Sequence, residues 1–156
     1  MEDAFSQDFE SDAIEFHTED CEFSLENEDL VIKWVKEILQ QENKILQHIS
    51  FIFCSDSYLH ELNVQYLHHD TLTDIITFYY AYLPDIEGDI FISIDRIKEN
   101  AKIFAGSFEE ELHRVIAHGV LHLCGYGDKS DSEKVNMIIK ENEALRRLSL
   151  LKSEKK

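Results

Sequence analysis

The chain has 156 residues, room for one domain of ordinary size, and its 44% hydrophobic content is sufficient for a core. It carries 32 Asp and Glu against 15 Lys and Arg, a net charge of −17, which argues against a basic nucleic-acid coat or a membrane-surface helix. With no long apolar run, no recognisable signal peptide and three scattered cysteines, we expect a soluble cytoplasmic protein without disulfides or a membrane partner.

The acidic charge is concentrated near the N-terminus. Residues 1–29 hold 12 acidic residues and no Lys or Arg, whereas residues 30–156 hold 20 acidic and 15 basic residues. A block of like charge repels itself and is usually solvated, so we predict a flexible acidic leader over residues 1–12. An arm that docks on a basic partner is the alternative. A short strand is predicted near residues 13–17, because Ile14 and Phe16 alternate with polar residues.

Three elements follow between residues 28 and 66. Acidic residues in the first turn and apolar residues at helical spacing predict a helix over about 28–42, with Asn27 as its N-cap. Residues 46–54 are rich in β-forming side chains and predict a buried strand. Ser55 or Ser57 then caps a short helix that extends to about Tyr66.

The second half of the chain is predicted to hold two strands and three helices, over about 73–82, 89–94, 95–104, 107–125 and 130–148. Pro84 and Gly88 mark the turn between the two strands. Ser107 and Glu110 form a capping box at the start of the second helix, and Gly125 is a natural stop at its end.

This order of elements predicts an α/β fold of mixed α+β type. We expect a single domain over residues 13–150, built on a small, mainly four-stranded mixed sheet with about five helices. The lysine-rich residues 151–156 are predicted to fray.

Two histidines on the predicted 107–125 helix indicate a metal site. His118 and His122 are four residues apart, so both imidazoles lie on one face, about one turn apart. Gly125 and Gly127 let the chain turn back, which brings Asp128 within reach as a third ligand. Three protein ligands and one open position are typical of catalytic zinc. We therefore predict one Zn²⁺ ion; such a set also suits non-haem iron, but nothing else indicates an oxygenase.

The histidine spacing is similar to that of the metzincin proteases, whose pattern is His-Glu-x-x-His-x-x-Gly-x-x-His. Gly119 stands where those enzymes have the glutamate that acts as general base. A zinc metallopeptidase of metzincin-like geometry is an alternative function suggested by the spacing, although this chain lacks the usual general base of such an enzyme.

The sequence resembles the YbeY family of single-strand-specific metallo-endoribonucleases, whose helix reads His-Gly-x-Leu-His-Leu-x-Gly-Tyr-Asp-His. This chain matches that pattern at His118, Gly119, Leu121, His122, Leu123, Gly125 and Tyr126. Upstream segments are similar to the family's boxes Leu-Asn-x-x-Tyr-Arg, Thr-Asp-Val-Leu-Ser-Phe and Gly-Asp-Ile; they cover residues 62–67, 73–78 and 88–90.

The resemblance implies a zinc-dependent endoribonuclease with a zincin-like metal-binding helix. It implies action on single-stranded rRNA in 16S rRNA 3′-end maturation and ribosome quality control, with a ribosomal subunit or ribosomal protein as partner and no role on DNA. Two residues depart from the family pattern: Asp128 replaces the third histidine, and Leu67 replaces an arginine and cannot pair with phosphate. His68 and His69 could compensate in part. A non-catalytic ribosome-assembly factor is therefore a second alternative.

Further polar residues are candidates of lower specificity. Asp74 and Asp89 could line a cleft or act as a base. His113 lies about 140° from His118 around the helix, so we predict that it is not a ligand. Cys124 is interpreted as a small helical residue rather than a thiolate ligand. The basic residues that could face RNA are Arg96, Lys98, Lys102, Arg114 and Lys129.

Overall fold

The computed structural model describes residues 13–69 and 73–154. These form, in chain order, β1 (Ile14–Glu19), α1 (Glu28–Gln41), β2 (Ile45–Cys54), α2 (Asp56–Leu67), β3 (Ile75–Tyr79), β4 (Asp85–Ser93), α3 (Ile94–Ile103), α4 (Phe108–Leu123) and α5 (Asp131–Glu154). The predicted order of strands and helices is confirmed. The predicted leader over residues 1–12 lies outside the described residues.

The four strands form one mixed sheet in the order β1-β2-β4-β3. Strands β1, β2 and β4 are parallel, and β3 pairs antiparallel with β4. The predicted mixed four-stranded sheet in a single α/β domain is therefore confirmed. Within the described part of the chain, β1 and β3 are its edges.

The main core lies on the sheet face covered by α1, α4 and α5. Trp34 of α1 is fully buried there, and its indole Nε1 donates to the Ala144 carbonyl of α5 over 2.8 Å. Helix α4 lies between the sheet and α5, where Ile116 and Val120 are fully buried. On the other face, α2 covers a smaller cluster around Leu59 and Ile76. Helix α4 is thus held from two sides, which fixes the side chains on its remaining face.

Two predicted boundaries in the hairpin are wrong. Strand β3 ends at Tyr79, and β4 begins at Asp85 rather than residue 89. Gly88 was predicted in the turn but lies inside β4, where it pairs with Tyr79. Its lack of a side chain has a packing reason, because a Cβ atom there would collide with the carbonyl oxygen of Phe78 in β3 and lie 2.9 Å from Leu123 in α4. The glycine therefore indicates a close helix–sheet approach rather than a turn.

The helix ends differ from the predictions at two places. Asn27 occupies the predicted N-cap position of α1, but its backbone is left-handed with φ of 57° and its side chain makes no capping hydrogen bond. Helix α5 continues to Glu154 because Leu151 is buried, so residues 151–154 are helical rather than frayed. The capping box of Ser107 and Glu110 is confirmed. None of the described helices is both long and apolar enough to span a lipid bilayer.

Candidate metal centre

Helix α4 presents one polar row outside the core. Glu111, Arg114, His118 and His122 are partly exposed along it, at spacings of three and four residues. The helix ends at Leu123, and Gly125 follows with φ of +105°, a left-handed conformation that glycine adopts without steric cost. The chain then turns back along the helix end and brings Asp128 towards both histidines.

His118, His122 and Asp128 converge on one point. The Nε2 atoms of His118 and His122 each lie 3.4 Å from Oδ2 of Asp128. Donor atoms held tetrahedrally at about 2.1 Å from zinc are about 3.4 Å apart, so these separations fit a zinc ion. Among residues 13–69 and 73–154, this is the one group of three potential ligands whose donor atoms all lie within 4.8 Å of one another.

The second ring nitrogen of each histidine is already hydrogen-bonded. Nδ1 of His118 lies 2.6 Å from Oε2 of Glu141, and Nδ1 of His122 lies 2.8 Å from the carbonyl oxygen of Tyr126. Both partners are acceptors, so each Nδ1 carries the proton and each Nε2 presents a lone pair to Asp128. Such partners orient the imidazoles that bind metals.

Glu141 is a functional candidate that the sequence analysis missed. It is buried in α5, and its other oxygen, Oε1, accepts from Nη1 of Arg114 over 3.0 Å. Arg114 is fixed in turn by Asn142, to whose Oδ1 it donates over 2.9 Å. No spacing rule joins Glu141 to His118 because the two residues lie on different helices. The one available signal was a carboxylate among the core positions of α5.

The pKa shifts of His118 and Asp74 reflect the several carboxylates that lie close together at the site. Burial lowers the pKa of His118, but the hydrogen bond to Glu141 and the charges of Glu141, Asp128 and Asp74 outweigh burial and raise it. Burial raises the pKa of Asp74, and the nearby Glu141 and Asp128 raise it further. A divalent cation would relieve this repulsion, so the local charge favours a bound metal.

Asp128 is held by the start of α5. Glu133 accepts the backbone N–H groups of Lys129 and Ser130 at 3.3 and 3.0 Å, and the Ser130 hydroxyl accepts the N–H of Glu133 at 3.1 Å. This reciprocal cap orders the loop immediately after Asp128. Two of the three candidate ligands therefore lie on a helix, and the third lies on a capped loop.

The structure separates the remaining candidates. Asp74 lies at the start of β3, close enough for its charge to affect His118. Asp89 points to the opposite face of the sheet, where its Oδ2 accepts from the Tyr80 hydroxyl over 2.8 Å. Cys124 is buried, and burial raises its pKa to about 12, so its thiol is neutral. His113 is buried against Trp34, away from the ligand group.

The basic candidates are less available than the sequence indicates. Nε of Arg96 lies 3.1 Å from Oδ2 of Asp56, and Arg114 is bound to Glu141. The side chains of Lys98, Lys102 and Lys129 are exposed. Leu67, His68 and His69 are exposed at the end of α2. Two of the five bases are thus already paired with carboxylates.

Position 119 has no room for a catalytic glutamate. A Cβ atom on Gly119 would lie 2.8 Å from Cδ1 of Ile75 and 2.9 Å from Cγ2 of Ile90. The glycine therefore lets α4 pack closely on β3 and β4. Because this position faces the sheet, the arrangement weighs against a metzincin-like peptidase.

Comparison with known proteins gives a consistent result. The family model described as Endoribonuclease YbeY matches residues 13–149. A protein named Endoribonuclease YbeY from Flavobacterium johnsoniae is 52% identical over 126 residues, which cover 81% of this chain and 91% of that protein. One of the same name from Amoebophilus asiaticus is 47% identical over 130 residues, 83% of this chain and 88% of that protein. The solution structure of a Thermotoga maritima protein matches with a TM-score of 0.62 and 28% identity, covering 86% of this chain and 88% of that chain.

Proposed function

The chain belongs to the YbeY family of endoribonucleases, and from this premise we propose that it is a zinc-dependent endoribonuclease of single-stranded rRNA. Its proposed role is 16S rRNA 3′-end maturation and ribosome quality control in the cytoplasm. The observation that carries the proposal is the convergence of His118 and His122 on Asp128, with each Nε2 3.4 Å from the carboxylate.

One zinc ion held by His118, His122 and Asp128 would supply Lewis-acid chemistry at a phosphodiester. Glu141 and the Tyr126 carbonyl hold the Nδ1 protons of the two histidines, which keeps both Nε2 lone pairs directed at one point. Asp128 contributes a negative charge where a third imidazole would contribute none. The loaded site is therefore less positive than a three-histidine site, and we expect it to attract phosphate less strongly.

A ribosomal partner is part of the proposal because the protein offers RNA little electrostatic attraction. Residues 30–156 carry more acidic than basic side chains, and two of the candidate bases are paired with carboxylates. Affinity for the phosphate backbone normally comes from free Lys and Arg side chains. A ribosomal subunit or ribosomal protein would then position the RNA strand at the metal centre.

The test compares substrates with and without metal. Purified protein is incubated with a labelled single-stranded rRNA fragment and with casein, each with and without chelator, and zinc content is measured by elemental analysis. We expect RNA cleavage that stops with chelator and returns with zinc, and intact casein. The His122→Ala variant removes one candidate ligand and should lose both zinc and cleavage. Its matched control is His17→Ala, because His17 is an exposed histidine on β1, the other edge strand of the sheet.

Two results would contradict the proposal. Intact RNA in the presence of stoichiometric zinc would favour the non-catalytic assembly factor. Chelator-sensitive cleavage of casein would favour the peptidase instead.

A further inference from the structure

A cleft of about 370 Å³ lies between α1 and the first turns of α4, and none of the three candidate metal ligands lines it. Its floor consists of apolar side chains: Phe23, Leu25, Leu30, Val31, Phe108 and Leu112. Phe23 and Phe108 are half-buried, and their ring centroids are 6.0 Å apart at an interplanar angle of 57°. A volume of this size is typical of clefts that bind small molecules.

One polar side chain, His113, is buried in this cleft without a hydrogen bond. It is 8% exposed, and a second cleft of about 300 Å³, on the side of α5, meets the first one at this residue. Neither ring nitrogen of His113 has a hydrogen-bond partner among residues 13–69 and 73–154. In the same part of the chain, no fully buried side-chain nitrogen or oxygen lacks a partner, so the nitrogens of His113 open into the clefts. A ligand that supplies the missing hydrogen bond would be recognised here.

The charges around the cleft favour an uncharged ligand. Glu26, Glu109 and Lys152 lie on its rim, and Nζ of Lys152 lies 3.0 Å from Oε1 of Glu109. Burial lowers the pKa of His113, and the charge of Lys152 lowers it further, so the imidazole is uncharged at neutral pH. An anion would meet both rim carboxylates, and an ion of either sign would lose its hydration on the apolar floor.

The floor and His113 together indicate an aromatic ligand with one hydroxyl group. Phe23 and Phe108, whose rings are tilted against each other, offer edge and face contacts to a third aromatic ring. A neutral imidazole carries one N–H group and one bare nitrogen, so His113 pairs with a hydroxyl group as donor or as acceptor. A phenol combines both features and carries no charge.

We propose that this cleft binds an uncharged phenol, with its aromatic ring on the apolar floor and its hydroxyl group hydrogen-bonded to His113. The cleft lies on another side of α4 from the candidate ligands, because His113 is about 140° from His118 around the helix. The site takes no part in zinc binding or RNA cleavage, so this inference does not depend on the proposed function.

The test measures binding by isothermal titration calorimetry on the zinc-loaded, full-length protein. Three probes of similar size are compared: p-cresol, toluene, which lacks the hydroxyl group, and the benzylammonium ion, which carries a charge. We expect p-cresol to bind at one site with a dissociation constant on the order of 0.1 mM. Toluene should bind about tenfold more weakly, because it makes no hydrogen bond to His113, and benzylammonium should not bind.

The His113→Phe variant keeps a ring at this position and removes the hydrogen bond. It should bind p-cresol and toluene equally, so the tenfold preference for the phenol disappears. The matched control is His48→Phe, because His48 is half-buried on β2, contacts Glu15 and does not line the cleft. This control should keep the preference. Circular dichroism checks that both variants are folded.

A second measurement locates the ligand without any substitution. Nuclear Overhauser effects should join the methyl group of p-cresol to the methyl groups of Val31 and Leu112, which lie on the floor of the cleft. Absence of binding by p-cresol, or contacts of p-cresol elsewhere on the protein, would overturn the proposal. An unchanged preference for p-cresol over toluene in His113→Phe would also overturn it. Tighter binding of benzylammonium than of p-cresol would show that the rim carboxylates select a cation instead.

Discussion

Two of the three histidines of helix α4, His113 and His118, lie five residues apart and have opposite surroundings. His113 is 8% exposed and its ring meets Trp34 edge-on, with ring centroids 5.8 Å apart. Burial lowers its pKa, and the charge of Lys152 lowers it further. His118 faces three carboxylates instead, and its pKa is raised. Neighbouring carboxylates, rather than the histidine or its helix, distinguish a candidate ligand from a core residue.

The two histidines differ because their side chains point in different directions around α4. His113 turns towards α1, whose facing side chain is apolar, whereas His118 turns towards Glu141 of α5 and the loop that carries Asp128. The following experiments test the consequences of these two surroundings and of the packing that holds α4 against the sheet.

Removing a candidate ligand should have the largest effect. We expect His122→Ala to lose stoichiometric zinc and RNA cleavage, because two remaining donors do not hold the ion. His113→Phe, which keeps a ring against Trp34, should retain both. Elemental analysis and the rRNA cleavage assay measure the two variants side by side. Full zinc content in His122→Ala would show that the ligand set is wrong.

Neutralising the carboxylate behind His118 should have the next largest effect. Glu141→Gln keeps the size of the side chain but removes the charge that holds the Nδ1 proton. We expect zinc affinity to fall by about 10–100-fold, measured by competition with a chromophoric chelator.

Glu143→Gln, an exposed position two residues further along α5, is the matched control for that measurement. Equal zinc affinity in the two variants would mean that Glu141 only supports the packing of α4 on α5.

Adding a methyl group where α4 contacts the sheet should have a smaller effect, and this effect is on the free energy of unfolding. In Gly119→Ala the new methyl group crowds Ile75 and the fully buried Ile90. Overpacking costs about 1–3 kcal/mol, and the better helix propensity of alanine returns about 1 kcal/mol. We therefore expect a net loss of about 1 kcal/mol in unfolding free energy by urea denaturation. A more stable variant would show that the contact relaxes freely.

The smallest effect is expected from the protonation of His113. Its pKa in the folded protein lies below the reference value of 6.5, so the unfolded chain takes up the proton first as pH falls. Protonation of His113 therefore lowers the free energy of unfolding progressively as the pH falls below about 6.5. Urea denaturation of metal-free protein at several pH values should show a shallower decline in His113→Phe than in wild type. Parallel curves would refute the assignment.

Much of the fold follows from local patterns in the sequence. The alternation around Ile14 and Phe16 predicts β1, and the Ser107–Glu110 capping box predicts the start of α4. The histidine spacing and the glycines after it predict which three side chains converge, since all three lie in one short segment where the chain leaves α4 and turns back.

The rest depends on contacts between segments distant in the chain. Glu141 reaches His118 only because α5 packs on α4, and no local sequence pattern predicts a contact between residues on two different helices. The sequence around Gly88 indicates a turn because a glycine that permits a close approach of neighbouring elements has the same local pattern as one that permits a turn.

The unequal anchoring of the three candidate ligands bears on how fast a metal could be exchanged. His118 and His122 lie on a helix packed from two sides, whereas Asp128 lies on a loop and is 43% exposed. Opening that loop requires loss of the cap between Ser130 and Glu133, while opening the helix requires loss of the core. The lifetime of a bound ion should then follow the opening rate of the loop. Ser130→Ala would shorten this residence time while leaving the two histidines in place.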